Sequence, residues 1–288
     1  MKNKNSKRKV ELAVISDVHL GTYGSKADEL LHYLKSIQPS TLILNGDIID
    51  FWQFNKKYFP KSHMKIIKYI TSLLSNGVEV YYITGNHDET LRKFAGFELG
   101  SLKIVNKVIL TLGQKQAWFF HGDVFDVTMK HSKWLAKLGA IGYDTLIHLN
   151  NFTNWIAIKL GGEKYSFSKS IKGMVKEAVS FINSFEETAA EIALNKGYDY
   201  VVCGHIHEPK IRHFEKEERG CTYLNSGDWV ESLTALEYQK GTWRIYDYYK
   251  EVPLSQPDEE SQKEAEELAM VDLANSQLFT SFFNEISK

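Results

Sequence analysis

The chain reads as an α/β protein, on two observations. Over the first third of the chain, short apolar runs alternate with stretches of helical apolar spacing. Each apolar run then stops abruptly in a polar stretch built from Asp, Asn, Gly and His. In open α/β sheets the C-terminal edge of the strands is where sites are built.

Val10 to Ser16 is the first expected strand. Ser25 to Ile37 has helical spacing (Leu30, Leu31, Leu34, Ile37) and is expected to stop before Pro39. Thr41 to Leu44 is the second strand, followed at once by Asn45-Gly46-Asp47. His63 to Ser75 reads as a helix ended by Asn76-Gly77, and Val78 to Ile83 as a third strand leading to Thr84-Gly85-Asn86-His87-Asp88. From Ser101 the texture becomes β-rich, with runs at Leu102 to Val105, Lys107 to Leu112 and Gln116 to Phe120, the last feeding His121-Gly122-Asp123. Residues 128–196 read as a helical insertion with a break at Gly161-Gly162. Tyr198 to Cys203 returns to strand and feeds Gly204-His205-Ile206-His207-Glu208-Pro209. Four more β-like runs follow, near Lys210 to Phe214, Cys221 to Leu224, Glu231 to Tyr238 and Thr242 to Tyr248. The expected organisation is one domain over 1–250, with 128–196 inserted in it, and an acidic, weakly amphipathic helical tail over 251–288.

Composition narrows the class. With 43% hydrophobic and 13% aromatic residues, the 288-residue chain can bury a sizeable core. A net charge of -1 argues against a general nucleic-acid binder. Two cysteines, Cys203 and Cys221, make no disulfide framework and point to a reducing compartment. The apolar run after the basic start is too short for a signal peptide, and no stretch approaches the ~20 apolar residues of a membrane span. The expected location is the cytoplasm, with room for a peripheral position on the inner face of the cell membrane.

Five polar stretches carry the chemistry: Asp17/His19, Asp47, Asn86/His87, His121 and His205/His207. In an extended chain residues i and i+2 point the same way, so Asp17 and His19 are expected to grip one ion from one side. A mixture of Asp, Asn and His suits divalent Mn, Fe, Zn or Mg. No cysteine falls in these stretches, which weighs against a structural zinc site. Seven ligands exceed one tetrahedral ion; they fit two ions sharing a carboxylate, an arrangement that clamps a phosphoryl group.

The order Asp-x-His, Gly-Asp-x-x-Asp, Gly-Asn-His-Asp, His-Gly-Asp, Gly-His-x-His, spanning Asp17 to His207, resembles the calcineurin-like metallophosphoesterases. The resemblance implies a two-sheet α/β sandwich with a dinuclear site at the strand ends. It implies that Asp17, His19 and His207 hold one ion, that Asn86, His121 and His205 hold the other, and that Asp47 bridges them. The ions, Mn foremost, would polarise the phosphoryl oxygens and lower the pKa of a bridging water. His87 would stand near the leaving oxygen as a general acid or phosphate partner. Asp50 would orient His87, or else cap a helix. Asp88 is expected either in support of the ligands or as a cap of the next helix. Asp123 and Glu208 follow metal-type histidines and are expected to orient them, with surface charge the alternative for Glu208.

Gly46-Asp47-Ile48-Ile49-Asp50-Phe51-Trp52, His121-Gly122-Asp123 and Asn225-Ser226-Gly227-Asp228-Trp229-Val230-Glu231 further resemble the UDP-2,3-diacylglucosamine pyrophosphatase branch, which releases UMP and a diacylglucosamine phosphate in lipid A synthesis. That branch carries a helical lid where this chain has 128–196. From Thr128 to Lys176 there are eight lysines against Asp144 and Glu163, a net charge of +6, interleaved with Trp134, Trp155 and Leu, Ile positions. Such a segment suits an anionic lipid substrate or a membrane surface, and equally a helical hairpin with solvated lysines. The chain departs from the branch at His87, where the branch's best-studied members carry Arg and the wider family carries His. A soluble phosphoesterase of nucleotides or phosphoproteins is therefore the alternative expectation, and a metal-binding scaffold without turnover a third. From Glu251 to Lys288 nine acids face two lysines, a net charge of -7, as in a solvated helix.

Overall fold

The computed structural model describes residues 7–52, 59–125, 167–217 and 219–252. Strand β1 (Arg8–Ile15) is followed by α1 (Ala27–Ser36), β2 (Ile37–Asn45), α2 (Lys61–Ser75) and β3 (Glu79–Ile83). A 3-10 turn (Glu89–Phe94) leads into β4 (Glu98–Leu99), β5 (Leu102–Val105), β6 (Lys107–Leu112) and β7 (Lys115–Phe120). After α3 (Phe167–Lys196) come β8 (Tyr200–Cys203), β9 (Lys210–Lys216), β10 (Arg219–Asn225), β11 (Thr234–Gln239) and β12 (Thr242–Asp247). The helix α1 ends before Pro39, as expected, but the proline lies inside β2 rather than ahead of it. It can sit there because β2 meets β3 only from Thr41 onward, so the missing N–H interrupts no bond on that side.

Two sheets form. One has the order β12-β11-β1-β2-β3-β5-β4, the other β6-β7-β8-β10-β9. Parallel pairing of β1, β2, β3 and β5 sets their C-terminal ends on one edge, and β7, β8 and β10 do the same in the second sheet. Period-two alternation divides the core into layers. Leu12, Val14, Ile43, Tyr81 and Ile83 face Phe119, Val202 and Leu224 between the sheets. Ile15, Leu42, Leu44 and Val80 face the other way, onto Leu30 and Leu34 of α1 and Ile66 and Ile70 of α2. The strands are thus buried on both faces, which is why they read as continuous apolar runs.

Helix α3 covers the outer face of the second sheet. Phe185, Ala189 and Ala193 recur every fourth residue and pack on Val201, Cys203, Cys221 and Tyr223. The segment expected to be lid is therefore core from Phe185 to Leu194, because small alanines on one stripe let the helix approach the sheet closely. Residues 126–166, with Gly161-Gly162, Lys130, Trp134 and Trp155, and the tail beyond Val252 lie outside the described residues. No helix among the described residues is long and apolar enough to cross a membrane.

One ionic cluster braces the first sheet. Glu237 on β11 is 3% exposed at its side chain and takes Arg8 in a two-pronged pair (2.8 and 2.9 Å) and Arg244 at 2.8 Å. Burial raises the Glu237 carboxyl, but the two guanidiniums overcome it and hold it below its usual 4.5. A depressed carboxylate contributes stability above its unfolded pKa and loses it as pH falls through the folded one. Glu237→Gln is expected to cost about 1–3 kcal/mol at pH 7, below the full cost of breaking a buried pair because the arginines keep contact with water. In urea melts the loss should shrink toward zero below pH 4; an equal loss at both ends of that range would contradict the assignment.

Candidate metal centre

The ligand-type residues sit just past the strand ends, not on them. Asp17 and His19 both have φ +52, Asp47 +54, His205 +70 and His207 +55. The extended i, i+2 geometry expected for Asp17 and His19 does not hold, since both residues are left-handed. Five of the eight described non-glycine residues with positive φ are therefore in this one cluster. Such strain persists only where the surroundings over-determine it. Here the loops hold one another: Asp17 N–H donates to Gly46 O (3.1 Å), and the N–H groups of Val18 and His19 both donate to Asp47 O (2.9 Å each). Glycines give the loops room. A Cβ on Gly85 would overlap the Asp47 carboxylate, one on Gly46 the His121 ring, and one on Gly204 would lie 2.6 Å from Asp17 Oδ2.

Two groups of ligands converge. Asp17, His19 and His207 bring one atom each within 4.8 Å of one another, and so do Asp47, His121 and His205. Asn86 Oδ1 joins the second group at 3.3 Å from His121 Nε2. Asp47 lies beside both groups: its Oδ2 is 3.1 Å from His121 Nε2, and its main-chain oxygen holds the His19 N–H. The structure brings all seven residues of the expected ligand set to this edge of the fold.

Lone pairs in this cluster face one another. His121 Nδ1 is 2.9 Å from Asn45 O, a carbonyl, so Nδ1 carries the proton and donates. In the neutral ring Nε2 is then an acceptor aimed at two further acceptors, Asp47 Oδ2 and Asn86 Oδ1; in the charged ring it carries a proton toward them. Asp17 Oδ1 is buried with no hydrogen-bond partner, 3.2 Å from His207 Nε2. Acceptors crowded in this way need a proton or a cation between them, and Asp, Asn and His fit a hard or borderline divalent ion. Without an ion the charge is balanced by protons. Burial opposes the charged form of His121, yet Asp47 and Asp17 draw its pKa well above the usual histidine value. Burial likewise opposes His207⁺, and Asp17 still raises it to about 9. Burial pushes the Asp47 carboxyl up while His121 pulls it down to about 2, and Asp17 falls below the usual carboxylate range by its pairing with His207.

A third group, His19, Asp50 and His87, also falls within 4.8 Å. The carboxylate oxygens of Asp50 are satisfied without a cation. Asp50 Oδ2 accepts from His87 Nδ1 (2.8 Å) and lies 3.2 Å from His19 Nδ1, while Oδ1 accepts the Trp52 N–H (2.9 Å). A carboxylate can only accept, so it fixes both imidazoles with the proton on Nδ1 and leaves each Nε2 free for other partners. Asp50 thus meets His87, as the sequence suggests, and His19 as well; the two described residues that follow it, Phe51 and Trp52, are not helical. Burial lowers the His87 pKa, but Asp50, Asp47 and Asp17 together raise it.

The supporting residues differ from expectation. Asp123 does not orient His121: its carboxylate pairs with Arg92, and the Asn45 carbonyl holds the ring instead. Glu208 is exposed, and the carboxylate behind His207 is Asp228, 4.0 Å from Nδ1. Asp228 is itself fixed by the N–H groups of Val230 and Glu231 (2.8 and 2.5 Å). Its signal in the sequence is the Ser226-Gly227-Asp228-Trp229 stretch. Asp88 precedes the 3-10 turn without capping it. Its oxygens accept from Gly85 N (2.6 Å), Ile48 N (3.0 Å) and Tyr82 Oη (2.6 Å), tying the loop of Asn86 to that of Asp47.

A family model described as calcineurin-like phosphoesterase matches residues 10–209. A UDP-2,3-diacylglucosamine hydrolase of Aliivibrio fischeri is 22% identical over 246 residues, covering 82% of this chain and 96% of that protein. One of Nitrosococcus oceani is 24% identical over 229 residues, covering 77% of this chain and 88% of that protein. Among solved structures, a phosphoesterase from E. coli superposes with a TM-score of 0.44 at 12% identity, covering 85% of this chain and 96% of that one.

Proposed function

The chain belongs to the calcineurin-like phosphoesterases, and on that premise we propose that it hydrolyses UDP-2,3-diacylglucosamine, or a close relative, to UMP and a diacylglucosamine 1-phosphate. It is a metallophosphoesterase of two-sheet α/β sandwich fold. The observation that carries the substrate is the extent of the likeness: the hydrolases named above align over 77–82% of the chain. A substrate with two acyl chains is held in a bilayer, so the reading includes work at the inner membrane face.

The ligand set fits two divalent ions, with Mn as the proposed metal. Asp17, His19 and His207 would hold one, and Asn86, His121 and His205 the other, with Asp47 between them. When bound, such a pair supplies polarisation of the phosphoryl oxygens and acidification of water to near neutrality. The chain's own residues do the rest. Asp50 holds the proton of His87 on Nδ1. With the ring charged, His87 Nε2 would then donate its proton to the leaving oxygen. The Asp47 Oδ1 bond to His87 N (2.8 Å) sets that ring's backbone against the ligand cluster.

Incubating Mn-loaded protein with UDP-2,3-diacylglucosamine is expected to yield UMP and the 1-phosphate by mass spectrometry. An intact substrate alongside hydrolysis of simple nucleotide phosphodiesters would replace this reading with the soluble nucleotide phosphoesterase. The specific observation favouring that second reading is His87, the form carried by the wider family rather than by the branch.

A further inference from the structure

Trp52 is placed unlike the other described tryptophans. Trp118, Trp229 and Trp243 are buried or half-buried in the core layers. Trp52 is 58% exposed. Its ring nevertheless lies against His87 at a tilt, with centroids 4.3 Å apart and planes 34° from parallel. His87 in turn meets His19 edge-on at 4.6 Å. The Trp52 main chain is fixed as well, because its N–H donates to Asp50 Oδ1 at 2.9 Å. One side of the indole thus packs on the histidine that serves the leaving oxygen, while much of the residue stays open to solvent.

Burial does not explain the placement. An indole left this exposed gains little from the hydrophobic effect, which scales with apolar area removed from water. What it offers is a large, flat, rigid surface with a polarisable face, held at fixed height beside the reacting atoms. Flat rings stack on such surfaces with little demand for a particular hydrogen-bond pattern.

We propose that Trp52 is a positioning residue for the leaving group: the face of a ring carried there by the substrate, the glucosamine ring in the reading above, packs on the exposed indole and is thereby set against His87. This rests on the phosphoesterase reading above, in which His87 faces the leaving oxygen. It adds a preference that the metal ligands do not supply, for esters whose leaving side presents a ring face over those with a small aliphatic group.

The test uses the full chain, loaded with Mn, and two esters of UMP that differ only in the leaving alcohol, phenol or methanol. Comparing variant with wild type on each ester cancels their intrinsic reactivities. Trp52→Ala is expected to raise KM for the phenyl ester roughly tenfold and for the methyl ester by less than about twofold. Trp52→Phe, which keeps a flat ring, should restore most of the loss. Equal changes on both esters, or a fall in kcat alone on both, would mean that Trp52 merely holds His87 and would overturn the inference. Binding of phenylphosphonate and methylphosphonate, followed by calorimetry, gives a readout without turnover. The wild type should prefer the phenyl compound and Trp52→Ala should lose the preference; a preference kept in the variant would overturn the inference too. Should the wild type turn over neither ester, the phosphoesterase reading fails by itself, and the phosphonate pair still decides the role of Trp52.

Discussion

Asp47→Ala is expected to abolish hydrolysis, lowering kcat/KM by at least about 10³-fold, and to reduce bound metal from two ions per chain to one or none. Asp47 does three things at once. Its Oδ2 stands 3.1 Å from His121 Nε2, its Oδ1 accepts the His87 N–H at 2.8 Å, and its main-chain oxygen holds both Val18 and His19. The alanine keeps the main-chain contacts and loses both carboxylate contacts. Two dications a few Å apart repel strongly, and without an anion between them the second has no reason to stay. Asp47→Asn separates charge from shape. The amide oxygen can still accept from His87, so the loop should persist, but the charge proposed to bridge the ions is gone and the metal content should fall as in the alanine variant. Metal analysis by plasma mass spectrometry, run beside the rate, checks both. A variant that retained two ions and near-normal turnover would end the dinuclear assignment.

How much of this was legible in the sequence depends on what kind of atom does the work. The strand ends were legible, because Leu12 to Ile15, Leu42 to Leu44 and Val78 to Ile83 are buried on both faces and so cannot hide among polar neighbours. The ligand residues were legible as side chains, because Asp, Asn and His directly after such runs have few structural reasons to recur five times. Their conformation was not. Nothing in Asp17-Val18-His19 signals left-handed backbone at both ends; the hydrogen bonds from Gly46 and Asp47, some thirty residues away, impose it. Nor was the partner of His121 legible, because it is the carbonyl of Asn45, and every residue has a carbonyl. Asp123 misled for the same reason: adjacency in sequence suggested His121, while the fold turned it toward Arg92. Helix α3 was legible as helix and not as core, because alanine at every fourth position marks close packing and a solvated surface alike.

Gly85→Ala is expected to be severely damaging although it removes no functional group. Gly85 does not have positive φ, so an alanine meets no backbone penalty there, and any effect comes from the added methyl alone. That methyl would overlap Asp47 Oδ1 and lie 2.7 Å from Asp47 N. Neither neighbour can give way easily. The carboxylate is engaged with His87 N and His121 Nε2, and the Asp47 main chain carries the two bonds to Val18 and His19. Gly85 N is itself clamped to Asp88 Oδ1 at 2.6 Å, so the loop cannot slide away without also breaking Asp88's hold on Ile48. Overpacking of this kind costs about 1–3 kcal/mol of stability. The larger effect is on the reaction, since a displacement of about 1 Å between groups that must act together costs on the order of 10²-fold in rate. Asp47 and Asn86, which would bind the same ion, lie on the two sides of the clash. The two effects are separable. Chemical denaturation should show a folded protein of modestly reduced stability, while metal titration should show at least one site weakened and kcat/KM should fall by two orders of magnitude or more. Gly77→Ala is the control, because its Cβ would meet nothing within 4 Å. Gly77 has φ +81, so its alanine variant should lose stability through backbone strain and leave kcat/KM untouched. If Gly85→Ala turned over at the wild-type rate, the close packing of the Asn86 loop on Asp47 would not be what holds the two halves of the centre in register.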